Sequence, residues 1–69
     1  MPVNRIKLAR VEKNLSQQGL ADLVGVARQT IGLIEAGNYN PTLALCLRIC
    51  GVLGKTLDQL FYREEANEN

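Results

Sequence analysis

The chain has no histidine, no tryptophan, a single phenylalanine and only two cysteines. Without histidine, a hydroxyl or thiol nucleophile lacks its usual base and zinc lacks its common nitrogen ligand. The two cysteines alone cannot complete a structural zinc site, and the seven acidic residues are scattered. Neither a metal nor a cofactor is expected, and the chain does not read as an enzyme. Cys46 and Cys50 stand four apart inside an apolar helical pattern, which is no disulfide framework. Two readings of them stay open: a thiol pair on one helix face that senses redox state, and two small buried hydrophobes. No apolar run approaches the length that spans a membrane, and MPVNRIK lacks the apolar core of a signal peptide. The expected location is cytoplasmic and reducing, with no membrane partner.

Charge is also scarce in sum. The net charge is +1, so bulk electrostatics does not announce a nucleic-acid partner, and a local basic patch would have to supply the attraction. Every lysine and arginine except Arg63 lies in residues 1–55, and the tail EEANEN is acidic. Sixty-nine residues make one small domain with a thin core. Compact helix packing, self-association or both must hold it together.

What is present is helical periodicity with clear punctuation. NRIKLARVEK, residues 4–13, reads as a helix that Asn4 can cap, with Ile6, Ala9 and Lys13 on one side, Leu8 and Val11 flanking, and Asn14 as a left-handed stop. Ser16 caps a second helix to about Val24, with Leu20, Leu23 and Val24 at the spacing of a buried face and small Ala21 permitting a close crossing. Gly19 costs that helix roughly 1 kcal/mol; either another backbone approaches it closely or the cost is tolerated. Gly25 suits the left-handed turn that follows. A third helix runs from about Arg28 to Ala36, with Ile31 and Ile34 inward and Arg28, Gln29, Gly32 and Leu33 outward. After the loop NYNP, Thr42 caps a fourth helix of about Leu43 to Leu53. Leu43, Cys46, Ile49, Cys50 and Leu53 form its expected core stripe, with Leu45, Leu47 and Val52 beside or opposite. Thr56 and Gln59 form a capping box for a last short helix that returns Leu57, Leu60 and Phe61 to the core. FYRE could continue as a short C-terminal strand. The expected fold class is all-α, a compact five-helix bundle.

Two helices joined by a short glycine-containing turn form the helix-turn-helix plan, here in residues 17–36. The pieces LSQ at 15–17, LADLVGV at 20–26, RQTI at 28–31, IEAG at 34–37 and YNPTL at 39–43 resemble the Cro/C1-type, or XRE-family, helix-turn-helix of phage repressors and their bacterial relatives. The likeness covers about residues 5–61, taken as one DNA-binding domain, with 62–69 as a short tail. It implies a lambda-repressor-like fold whose members typically bind operator DNA as dimers. By the same resemblance, Gln17 contacts phosphate and braces the recognition helix, with Gln18 a weaker phosphate candidate. Ala27, Arg28 and Gln29 form the leading edge of that helix. Gln29 is the first choice for base readout, since an amide pairs bidentately with adenine; Arg28 reads guanine or holds the backbone. Thr30 is either a phosphate contact or a plain filler, and Asn38, Tyr39 and Asn40 fall where relatives usually touch phosphate. Leu33, where relatives often carry a polar or basic residue, either packs on a thymine methyl or is a half-exposed core residue. Ala27 gives up the serine cap common there. Together these departures leave a reading face poor in hydrogen-bonding groups, so base specificity is expected to be modest or to lean on DNA shape. Arg10 and Glu35 stand where relatives often pair the first helix with the recognition helix; the alternative is two independent surface charges.

The expected partners are double-stranded DNA and a second copy of the chain. Two copies would bring two recognition helices to successive major grooves, ~34 Å apart. Leu45 and Val52 on the fourth helix, with Leu60, Phe61 and Tyr62 in the C-terminal segment, are the expected dimer surface. The reading is a transcriptional regulator, a homodimeric repressor on a palindromic operator. The alternative is an antitoxin or accessory module that chiefly binds a partner protein.

Overall fold

Five helices carry the fold in a computed structural model that describes residues 4–61: α1 (Ile6–Glu12), α2 (Gln17–Val24), α3 (Arg28–Glu35), α4 (Leu43–Leu53) and α5 (Leu57–Leu60). The described residues contain no strand. Most of the strand considered at FYRE, and Tyr62 with it, lies outside them. No helix among them is long and apolar enough to cross a membrane.

The helix boundaries follow from local chemistry. Asn14 takes a left-handed φ of 58°, which lets the chain reverse after α1. Ser16, Thr42 and Thr56 each accept a backbone N–H of the first turn that follows them, from Gly19, Leu45 and Gln59. Thr56 and Gln59 complete the reciprocal capping box. Gly25, at φ 82°, makes the left-handed turn between α2 and α3, and the N–H groups of Gly25 and Val26 both return to the Ala21 carbonyl. α1 is shorter than residues 4–13. Arg5 stands at its N-cap position, and the Asn4 side chain reaches over to accept the Ile6 N–H at 3.2 Å.

The core is Ile6 and Ala9 from α1, Leu20, Ala21 and Val24 from α2, Ile31 and Ile34 from α3, Leu45, Ile49, Cys50 and Leu53 from α4, and Leu60 from α5. Three expectations are corrected. Lys13 is exposed rather than on the buried side of α1. Leu23 is 61% exposed, because the buried arc of α2 runs through Leu20, Val24 and Ala21 and turns away from it. The inward face of α4 is rotated toward Leu45, which is 6% exposed, leaving Leu43 at 64% and Leu47 at 52%. Leu45 and Leu60, the latter 1% exposed, are therefore core residues and not surface available to a second copy. Val52 and Phe61 are half-buried against the same core. The two ends of the described segment lie together: the Arg5 N–H donates to the Leu60 carbonyl at 2.8 Å, seating α5 beside the start of α1.

Candidate nucleic-acid interface

Ala27 opens α3 with extended backbone and no side-chain cap. Ile31 and Ile34 bury one side of this helix, which turns Arg28 and Gln29 to solvent and leaves Leu33 40% exposed. Thr30 is half-buried, while Gln18, Ala27, Asn38, Tyr39 and Asn40 are exposed. At its far end α3 closes with Gly37 at φ 79°, the Gly37 N–H on the Ile34 carbonyl and the Asn38 N–H on the Leu33 carbonyl. The NYN loop thus leaves α3 along a defined path.

Beneath this face runs a chain of polar contacts. Arg10 on α1 donates from Nε to Glu35 Oε2 at 2.7 Å and from Nη2 to Glu35 Oε1 at 3.2 Å. Its Nη1 donates to the Leu15 carbonyl at 2.9 Å, which ties the α1–α2 connection into the same node. Glu35 Oε1 also accepts Gln17 Nε2 at 3.0 Å, and Gln17 Oε1 accepts Arg28 Nη1 at 3.1 Å. Gln17 is half-buried and lies over Gly32, where an added Cβ would stand 3.7–3.8 Å from its amide. The Arg10–Glu35 side chains are 11% and 6% exposed, so this is one buried two-point ion pair and not two separate surface charges. Gln18 is turned to Asp22, donating at 2.7 Å.

Two anchors of this frame have no counterpart in the sequence reading. Arg48 on α4 donates from Nε to the Val24 carbonyl at 3.2 Å, a cation at the C-terminal end of α2. Asn4 donates to the Ile34 carbonyl at 2.8 Å, a second tie from the start of α1 to α3. Arg48 could have been suspected as the one charged residue on an otherwise apolar helix; Asn4 carried no comparable signal. Gly19 has no other backbone nearby. A Cβ there would meet its own cap, Ser16 Oγ at 3.2 Å, and Leu15 Cδ2 at 3.5 Å.

The thiols lie outside this site. Burial pushes both Cys46 and Cys50 above the ordinary 9.0, with each other's proximity adding to the rise at Cys46. That is the opposite of the lowered value that makes a thiol reactive. No group of three or more His, Cys, Asp or Glu among the described residues could hold a metal ion. A hollow of about 220 Å³ between α1 and α5, lined in part by Leu8, Glu12, Lys55 and Gln59, is smaller than the ~300–1,000 Å³ usual for small-molecule sites.

Comparison with known proteins places this frame. A helix-turn-helix family model, HTH_3, matches residues 6–60. An uncharacterized HTH-type transcriptional regulator of Bacillus subtilis, YgzD, is 41% identical over 64 residues, covering 93% of this chain and 97% of its own. A second, MJ0272 of Methanocaldococcus jannaschii, is 40% identical over 62 residues, covering 90% and 94%. Among solved structures, the restriction-modification controller protein C.AhdI from Aeromonas hydrophila superposes with a TM-score of 0.76 at 35% identity, covering 83% of each chain.

Proposed function

The chain belongs to the HTH_3 helix-turn-helix family, of the Cro/C1 or XRE type, and from that premise we propose that it represses transcription as a homodimer bound to a palindromic operator. Its fold is the lambda-repressor-like bundle. The observation that carries the proposal is the exposed leading edge of α3, held from behind by the Arg10–Glu35 pair and the Gln17 amide. A helix whose rear is tied at several points and whose front is solvent-facing is suited to a major groove. In this reading Ala27, Arg28, Gln29 and Leu33 meet base edges. Thr30, Gln18 and the loop of Asn38, Tyr39 and Asn40 meet the backbone, where contacts set register without reading sequence.

The described surface bears few cations, so one copy neutralises few phosphates and two copies are needed for a firm complex. With Leu45 and Leu60 in the core, the apolar surface that α4 offers a second copy is Leu43 and Leu47, with half-buried Val52 and Phe61 at the margins. The same exposed leucines favour a second reading, an accessory module that docks a partner protein there.

Titrating the DNA upstream of the chain's own gene at several salt concentrations separates the two. A repressor dimer touching about six phosphates gives a log–log salt slope near −5 and a footprint with two-fold symmetry. No complex at low salt would leave the protein-binding module as the better account.

A further inference from the structure

We propose that Cys46 and Cys50 form a two-thiolate site for a soft, linearly coordinated divalent cation, of which the mercuric ion is the type. The site lies on α4, apart from the recognition face, and goes beyond the DNA-binding reading without depending on it.

The two thiols share one side of a helix. Residues four apart bring their Cβ atoms to ~5–6 Å. Helical side chains lean toward the N-terminus, so Cys50 leans toward Cys46 one turn ahead. Cys46 leans the same way, its Sγ on the Pro41 carbonyl at 4.0 Å, which sets it half-buried at the end of the NYNP loop. Cys50 is near enough to contribute to the rise in the Cys46 pKa. It is 8% exposed, and its own thiol makes no hydrogen bond among the described residues. A buried polar group without a partner calls for one. A metal ion shared with Cys46 supplies it.

The class of ion follows from the ligand set and the charge. Among the described residues no third His, Cys, Asp or Glu joins the pair. Two thiolates make neither the tetrahedral cage of a structural zinc nor the oxygen cage of a hard cation; they suit a soft ion bound in line. Two metal–sulfur bonds of about the zinc–sulfur length, ~2.3 Å, laid end to end span ~4.6 Å, which the spacing of the two side chains accommodates. The one charged residue of α4, Arg48, is turned to the Val24 carbonyl. A net charge left on the site would thus go unmatched by its own helix, and a divalent ion with two thiolates leaves none. The raised thiols are slow nucleophiles, yet a coordinating thiol gives up its proton outright. One mercuric ion forms two mercury–sulfur bonds as two S–H bonds break. Both protons pass to water, and no electron changes hands.

Mercuric chloride, one equivalent per reduced chain in an excess of glutathione, tests this, with intact mass under denaturing conditions as the readout. The wild type is expected as a single chain that carries one mercury and lacks two protons, retained because the second bond forms within one molecule. Cys46→Ala and Cys50→Ala, each left with one sulfur, should hold mercury ~10²-fold less well against glutathione. Should Cys50→Ala fail to fold, the half-buried Cys46→Ala and the stoichiometry of the wild type still decide. Two mercury atoms on one chain, or two chains bridged through one ion, would mean that the thiols act separately and overturns the proposal. Loss of mercury from the wild type to glutathione overturns it as well, as does retention by Cys46→Ala equal to that of the wild type.

Discussion

Arg10 and Glu35, on the first and third helices, form a two-point ion pair at 2.7 and 3.2 Å that is almost closed to solvent. It joins the brace to the recognition helix at the end remote from Arg28, and the Leu15 carbonyl shares the same guanidinium. Both charges are matched and the arginine's donors are largely used, which is the condition under which a buried pair holds geometry without a heavy desolvation cost.

Removing one partner should therefore cost far more than an exposed pair would. Glu35→Ala leaves Arg10 uncompensated in a site 11% exposed and is expected to destabilise the domain by about 3 kcal/mol. That corresponds to a fall in Tm of roughly 12–24 °C for a domain of this size. Arg10→Lys retains charge but not the fork and should lose less. Thermal melts of the two variants check this, and a Tm within 2–3 °C of wild type for Glu35→Ala would show the pair to be dispensable.

The parts of this frame that were legible in the sequence are the local ones. Ser16, Thr42 and the Thr56–Gln59 box cap helices through atoms three residues apart, and Asn14 and Gly25 answer backbone needs at their own positions. The orientation of α4 was not legible. A helix apolar nearly all round presents several possible inward faces, and only the placement of its neighbours selects the one through Leu45, Ile49 and Leu53. The same holds for Arg48 on the Val24 carbonyl and Asn4 on the Ile34 carbonyl, which join segments far apart in the chain. At the candidate site, the residue types on α3 could be read off, but the engagement of Arg28 by Gln17 depends on how α2 crosses α3.

Gly32 offers a gain. Its added Cβ would meet Gln17 only at ordinary contact distance, 3.7–3.8 Å, and its backbone is regular helix. Gly32→Ala should then stabilise the domain by about 0.5–1 kcal/mol through the entropy of the unfolded chain. The urea midpoint measures it. A loss of stability would mean that Gln17 has no room to accommodate the methyl group and that the glycine is there for the amide.

The thiols give a pH prediction. Folding raises both above 9.0, so the folded chain holds those protons more tightly than the unfolded one. The resulting stability is fully present below 9.0 and is lost as pH rises through the higher folded values. The difference in urea midpoint between the wild type and a Cys46→Ala, Cys50→Ala variant should be flat from pH 7 to 8.5 and shift against the wild type above pH 9. Iodoacetamide at pH 8 should label both thiols more slowly than free cysteine, and faster labelling would restore the redox-sensing reading.

Leu45 and Leu47 separate folding from association. They are two apart on one helix, yet Leu45 is 6% exposed and Leu47 is 52% exposed. Leu45→Ala opens a cavity in the core and should cost about 2–4 kcal/mol. Leu47→Ala should change monomer stability by no more than about 0.5 kcal/mol, as surface substitutions do. Leu47→Glu puts a charge on the proposed contact between copies, so it should weaken self-association at least tenfold and leave the far-ultraviolet signature of the helices intact. Sedimentation equilibrium gives the association constant, and melts at two protein concentrations give the coupling between association and stability. If Leu47→Glu associates as the wild type does, the copies meet through another face. The weak operator affinity expected of a monomer must then be made up there, since two half-sites can be held at once only by a dimer whose recognition helices keep the spacing of successive grooves.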